Sequence, residues 1–409
     1  MTVATQDPSR DVRDRIADAS NTADYVDKIW FHKTASAVID ADRCVQCGAC
    51  VAACPSNSIG VAEDLRPTLI RMCTGCSFCW DVCPVGGLRV ERLWRLAESG
   101  AADPTIGQVT ASYAAKARRD VPDAQDGGVA TAILARLLED GFIDGVILSR
   151  KGPPAGGVAM VARTASEVVE GAGSVYNSVM TLAALSGLRG KVGPTERLAL
   201  VGTPCQISAL RAMQRYPWPY CDTPADQVVL TIGLFCTRSF DLPRLQVMFA
   251  RRGIDPATVA RIDVSEGDLT ALDGNGSVLV RESVRGFDDA ALGGCAECAD
   301  STARLADISL GSIGSAAGLT TALIRTRAGA EAWERAQPAL SSESLDDPAA
   351  VRRFARGKRR RALATLKRPF DSEKRLLVTY SEHLAAYSGT DRAPVTPPGY
   401  RSHHYLISC

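Results

Sequence analysis

The sequence predicts a chain of mixed class, α+β followed by α/β: a small metal-binding domain, then a larger mixed-sheet domain, then a helical C-terminal tail. Three observations carry this prediction. Eight of the fourteen cysteines fall into two runs of identical spacing between Cys44 and Cys83. From about 105 to 340, short continuous apolar runs alternate with amphipathic stretches, the pattern of buried strands overlaid by helices. From Ser341 the chain turns basic with helical character.

With 409 residues and 46% hydrophobic content the chain can bury two or three cores. Lys plus Arg (47) balances Asp plus Glu (46), so no global field draws it to nucleic acid or an anionic membrane. The first thirty residues lack the apolar run of a signal peptide, and nothing reaches the roughly 18 apolar residues of a membrane span, so we expect a cytoplasmic protein. A chain this long needs no disulfide staples, which favours metal as the use of its cysteines.

The elements come in this order. Residues 1–38 read as a polar leader ending in the aromatic pair Trp30 and Phe31, placed to dock on the neighbouring domain. Residues 39–100 hold the cysteine repeats, separated by turn signals at Gly60 and Pro67. In 105–340 we expect a helix over 129–138 and another after Pro204, with strands at 146–148, 198–201, 228–235, 278–280, 308–310 and 322–324. Residues 341–409 read as a basic helical segment and an irregular, proline-containing tail.

Cys44, Cys47, Cys50 and Cys54, followed by Pro55, recur as Cys73, Cys76, Cys79 and Cys83, followed by Pro84. Each is the C-x2-C-x2-C-x3-C-P run of bacterial-type ferredoxins, whose first three thiolates hold one [4Fe–4S] cube while the fourth crosses to the other. One cluster would therefore take Cys44, Cys47, Cys50 and Cys83, and the second Cys73, Cys76, Cys79 and Cys54. The alternative is a pair of zinc sites, but these pair two Cys-x2-Cys hooks over longer gaps and need no third cysteine three residues on. The 39–100 domain is thus expected to be ferredoxin-like.

Six cysteines remain: Cys205, Cys221, Cys236, Cys295, Cys298 and Cys409. Cys205 and Cys236 come directly after predicted strands, and strand ends on one sheet edge converge, so these two and the Cys295-x2-Cys298 hook are candidates for one more all-thiolate site. Two inert core thiols beside a redox or zinc hook are the alternative.

At these residues the chain resembles the beta subunit family of coenzyme F420 hydrogenases and dehydrogenases. The resemblance rests on Gln125-Asp126-Gly127-Gly128-Val129-Ala130-Thr131, Gly173-Ser174-Val175-Tyr176, Gly202-Thr203-Pro204-Cys205-Gln206, Gly233-Leu234-Phe235-Cys236, Cys295-Ala296-Glu297-Cys298 and Ala306-Asp307-Ile308-Ser309-Leu310-Gly311-Ser312-Ile313-Gly314-Ser315, in the family's order. It implies FAD in the α/β domain, and beside it a third [4Fe–4S] cluster on Cys205, Cys236, Cys295 and Cys298, with Cys221 and Cys409 as spectators. The flavin-binding residues it implies are Gln125, Asp126, Gly127, Gly128, Thr131, Tyr176, Asn177, Ser178, Thr203, Gly311, Ser312, Gly314, Ser315, Gly318 and Thr320. Glycine suits such loops because a backbone without Cβ approaches a pyrophosphate or flat ring closely. Val175 stands where many relatives carry Lys, and Ala316-Ala317-Gly318-Leu319 where many carry Pro-Asp-Gly-Trp, which changes what can sit against the flavin.

The expected function is exchange of electrons between a two-electron hydride carrier such as coenzyme F420, at FAD, and one-electron partners, a ferredoxin or a partner subunit, through the clusters. Rival readings are a ferredoxin-dependent reductase of an organic substrate, as in the tetrapyrrole-reductase branch of the family, and an electron-transfer subunit without a substrate. The histidines His32, His383, His403 and His404 lie outside the central domain and offer no acid/base site. The run Arg352, Arg353, Arg356, Lys358, Arg359, Arg360 and Arg361 reads as a solvated helix face or as docking for an acidic ferredoxin.

Overall fold

Gly48 shows why the first cysteine loop needs a residue without a side chain. It takes a left-handed backbone (φ +84°) where a Cβ would lie 2.6 Å from the Ala183 amide nitrogen. In the computed structural model, which describes residues 30–76, 78–86, 90–98, 102–152, 156–215 and 223–366, this glycine starts the short helix Ala49–Ala53 that carries Cys50. The matching helix Phe78–Asp81 carries Cys79. Between them β1 (Ile59–Val61) and β2 (Pro67–Leu69) form an antiparallel hairpin. The turn signals Gly60 and Pro67 therefore sit inside its strands: proline opens β2, where a two-stranded edge tolerates it, and Gly60 leaves room for the Ile70 side chain. Phe31 is buried against this region, while Trp30 is 40% exposed and lies over Gly75. The 1–29 part of the expected leader is outside the described residues.

The remaining strands are β3 (Ala111–Ala117), β4 (Gly145–Gly152), β5 (Gly156–Ala162), β6 (Leu198–Gly202), β7 (Val228–Leu234), β8 (Arg261–Ser265), β9 (Asp268–Leu272), β10 (Val278–Ser283), β11 (Ile308–Gly311), β12 (Thr320–Ile324) and β13 (Leu340–Ser344). Eight of them make one mixed sheet in the order β13-β3-β12-β11-β7-β6-β4-β5. Its centre, β11-β7-β6-β4, is parallel, and antiparallel strands flank it on both sides.

Side chains alternate across the sheet, as the period of a strand requires. On one face Val146, Leu148, Ala199, Leu230 and Ile232 pack under helices Val129–Glu139 and Arg327–Ala336. On the other, Ile147, Leu198 and Leu200 pack under helix Pro204–Arg215. That second core is continuous with Ala52, Ala53, Trp80, Leu93 and Trp94, so the cysteine-rich region shares its hydrophobic core with the sheet.

The strand at 278–280 is not in the main sheet. As β10 it joins β9 and β8 in an antiparallel meander with its own core of Phe240, Leu245, Phe249, Ile262 and Phe287, beneath helix Leu242–Arg251. Nor does the helical segment begin at Ser341: residues 340–344 are the edge strand β13, paired with β3. The C-terminal helix, Ala349–Leu366, then packs Val351 and Ala355 against Ile106 and Leu323. Among the described residues no helix is long and apolar enough to cross a membrane.

Candidate redox centre

Because β6, β7 and β11 run parallel, they end on the same edge of the sheet, at Gly202, Leu234 and Gly311. Cys205 and Cys236 lie just past the first two ends, and a 3-10 turn, Gly293–Ala296, brings Cys295 and Cys298 to them. The four sulfurs stand within one another's electrostatic field. Around them the Ser239 amide donates to Cys295 Sγ at 3.4 Å, Thr203 Oγ1 lies 3.2 Å from Cys205 Sγ, and the Cys236 amide donates to the Ser301 carbonyl at 2.9 Å. Burial pushes the Cys295 thiol up to about 12, so a bound cationic iron core is what would draw it to the thiolate form.

Two further groups form in the cysteine repeats. Cys44, Cys47 and Cys50 lie with Cys83, while Cys73, Cys76 and Cys79 lie with Cys54, so each fourth cysteine has crossed to the other loop. Burial again raises the Cys44, Cys47, Cys50, Cys76, Cys79 and Cys83 thiols, Cys44 to about 12. The repeat extends to the backbone: the Gln46 amide donates to Cys44 Sγ and the Gly75 amide to Cys73 Sγ, both at 3.4 Å. The Ser58 amide reaches Cys54 Sγ at 3.2 Å. Donors aimed at buried sulfurs, with no disulfide among the described cysteines, suit thiolate ligands of a cluster. Cys205 feels Cys47, and Cys50 feels Cys79, so the three groups stand in a row with Cys44, Cys47, Cys50 and Cys83 in the middle.

The row is held by polar contacts between the two parts of the chain. Arg43, adjacent to Cys44, forms a buried ion pair with Glu297, which lies between Cys295 and Cys298. The Ser178 hydroxyl donates to the Val45 and Gln46 carbonyls; within the larger part, Gln206 Nε2 donates to the Val179 carbonyl at 2.8 Å beside this contact.

The predicted flavin-binding residues lie mostly on the same edge. The Gly127 amide donates to Thr320 Oγ1 at 3.2 Å, joining its loop to the start of β12, and a Cβ on Gly127 would meet the Ala115 carbonyl at 2.6 Å. Gly128 has φ +67° and opens the helix that carries Thr131. Asp126 is half-buried, and desolvation raises its carboxyl. Tyr176 lies near Asp126 and donates its hydroxyl to the Val264 carbonyl at 3.2 Å, so the meander roofs this loop. Gln125 Oε1 and Asn177 Oδ1 are buried polar atoms with no hydrogen-bond partner among the described residues. Orphaned acceptors of this kind fit a cofactor with hydrogen-bond donors.

Other predicted residues sit differently. Gly311 is closed over by the Phe235 ring, and Gly314 by Val351, so close packing already accounts for both glycines. Ser312 and Gly318 are exposed, and Ser315 donates to the Leu319 carbonyl at 3.0 Å. Sequence reasoning passed over Lys151, Asp123 and Arg261, which cluster beside Gly173, and Lys358, which is 3% exposed inside a run read as a solvated face. Only the interruption of the arginine run by a lone lysine next to Gly357 marks that position in the sequence. Cys221, Cys409, His383, His403 and His404 fall outside the described residues.

Residues 112–186 match the profile of the N-terminal part of the coenzyme F420 hydrogenase/dehydrogenase beta subunit, and residues 195–347 that of its C-terminal part. Residues 37–90 match a 4Fe-4S dicluster domain, which accounts for the eight cysteines of the repeats. The chain is 32% identical over 240 residues to the beta subunit of coenzyme F420 hydrogenase from Methanosarcina barkeri, spanning 57% of this chain and 81% of that one. The chain belongs to the coenzyme F420 hydrogenase/dehydrogenase beta subunit family. This family member is also 32% identical over 311 residues to a coenzyme F420-dependent sulfite reductase of Methanocaldococcus jannaschii; the match spans 72% of this chain but only 46% of that relative. Its fold resembles a chain in the F420-reducing [NiFe] hydrogenase complex of Methanosarcina barkeri, with a TM-score of 0.60 and 28% identity over 65% of this chain and 94% of that one. Its relatives are thus F420-linked oxidoreductases or their subunits.

Proposed function

We propose that this beta-subunit-like oxidoreductase passes electrons between a hydride carrier of the coenzyme F420 type, at an FAD on the carboxyl edge of the sheet, and a one-electron partner protein reached through three [4Fe–4S] clusters. When bound, a flavin takes or gives two electrons as hydride and parts with them singly, and an iron–sulfur cube carries one at a time. The chain's own residues supply position, dryness and charge. Gln125 and Asn177 would hold the flavin, and Tyr176, roofed by the meander, would limit water access to it. Cys205, Cys236, Cys295 and Cys298 would hold one cluster, and the two crossed sets in the repeats the others. The partner is a ferredoxin or a further subunit of a redox complex, as the hydrogenase relative's assembly suggests.

The observation that carries this reading is the shared edge: the loop containing Gly127 and the strand ends bearing Cys205 and Cys236 lie together, with Cys205 beside Cys47 of the repeats. The test is a cofactor census on oxygen-free reconstituted protein, followed by rapid mixing with reduced coenzyme F420 or NADH. We expect flavin, iron and sulfide in a ratio of about 1:12:12, and flavin reduction by reduced F420 well ahead of NADH. Flavin-free protein with iron for two clusters only would overturn the reading in favour of a plain electron carrier.

A further inference from the structure

The C-terminal helix Ala349–Leu366 lies beyond residues 195–347, where the family's C-terminal profile matches, yet it reaches the third group of cysteines. Phe354 stacks near Phe235, the residue before Cys236, with ring centroids 6.3 Å apart. One turn on, Lys358 is 3% exposed and its Nζ donates to the Cys236 carbonyl at 2.8 Å. The groups that face this ammonium are Cys236, Cys295, Cys298 and Asp300. Asp300 is committed elsewhere, accepting from the Thr302 amide at 2.9 Å and the Arg304 amide at 3.0 Å.

A lysine is seldom buried unless a negative charge repays its desolvation. Four thiolates around a [4Fe–4S] core supply such a charge, and each one-electron reduction adds one more. A fixed, desolvated cation beside the sulfurs therefore favours the reduced state more than a solvated one would.

We propose that Lys358 is the charge-compensating residue of the Cys205, Cys236, Cys295 and Cys298 site: clamped against Cys236 by the C-terminal helix, its ammonium raises the reduction potential of the cluster bound there. The proposal deepens the three-cluster reading and rests on it. It assigns the interior of the basic run to tuning the electron path.

The test uses the full chain, reconstituted without oxygen, as parent, Lys358→Met, Lys358→Arg and Cys298→Ser. Iron and sulfide are counted, and cluster midpoints are read by potentiometric titration followed by electron paramagnetic resonance. Cys298→Ser identifies the wave of the third cluster by removing or altering it. In Lys358→Met that wave should move to lower potential while the other two stay in place, and Lys358→Arg should hold it near the parent value. Loss of one cluster's iron in the Met variant, with retention in the Arg variant, also supports the charge assignment. A Met variant with full iron and an unmoved third wave overturns it, as does loss of the cluster in both variants. If the parent itself shows no wave sensitive to Cys298→Ser, the three-cluster reading fails and this proposal with it, an outcome distinct from failure of Lys358 alone.

Discussion

Glu297 accepts both arms of the Arg43 guanidinium, from Nε at 2.6 Å and from Nη2 at 2.7 Å, in a pair almost wholly excluded from water. Arg43 also donates to the Ala37 and Val85 carbonyls. One side chain thereby fixes the loop of the first ferredoxin-type motif to the turn carrying Cys295 and Cys298.

Removing one partner of such a pair strands a buried charge. Arg43→Met should cost about 3–5 kcal/mol of stability, whereas Arg43→Met combined with Glu297→Met should recover most of it. Denaturant unfolding of the three proteins checks this, and a single variant within about 1 kcal/mol of the parent contradicts it.

The crossed fourth cysteines make a prediction that motif order alone would not. Cys54→Ser, although it alters the first motif, should leave the same spectroscopic defect as Cys76→Ser in the second. Cys83→Ser should likewise match Cys47→Ser. Each variant should lose or degrade one cluster of about four irons. Spectra that pair Cys54 with Cys47 instead would show that each motif closes on itself.

Gly127→Ala places a methyl group 2.6 Å from the Ala115 carbonyl, a backbone atom that cannot swing away. We expect a loss of about 1–3 kcal/mol and a fall in bound flavin, read from flavin-to-protein ratio and thermal melts. Unchanged melting with full flavin would count against the placement of this loop at the cofactor.

Two aspartates should respond to pH in opposite senses. Burial raises the carboxyl of Asp126 above its unfolded value, so its contribution is fully present below about pH 4 and is lost as pH rises through the folded pKa. Asp126→Asn in flavin-free protein should therefore be more stable than the parent at neutral pH and no more stable at pH 4. At Asp103 burial also pushes upward, but the Thr105 and Ile106 amides and Arg352 outweigh it and hold the carboxyl low. Its contribution is present above about pH 4 and fades as pH falls further, loosening the C-terminal helix through the Arg352 contact at 2.6 Å. Melting curves between pH 3 and 7 test both signs.

Much of the fold was legible because strands buried on both faces write continuous apolar runs: the strands expected at 146–148, 198–201, 228–235, 308–310 and 322–324 all lie in the large sheet. Strands at and near one edge were missed for the same reason. β13 (LSSES) lies at the edge and β3 (ASYAAKA) just inside it; both are small or polar, and nothing local marks them as strands until their neighbours pair with them. The strand at 278–280 is present as β10, but an exposed strand carries no sign of which sheet it joins. At the redox centre, cysteine spacing suggested which thiols meet. The polar residues that hold them did not show, because Arg43 and Glu297 stand 254 positions apart and Lys358 hides among arginines.

The continuity of Ala52, Trp80 and Trp94 with Leu200, Ile207 and Leu210 bears on whether the cysteine-rich part can be separated from the rest. A free-standing ferredoxin keeps a polar skin on every side and can serve many customers. Here the module has surrendered one flank to its host, so cutting it loose would expose an oily scar and invite precipitation.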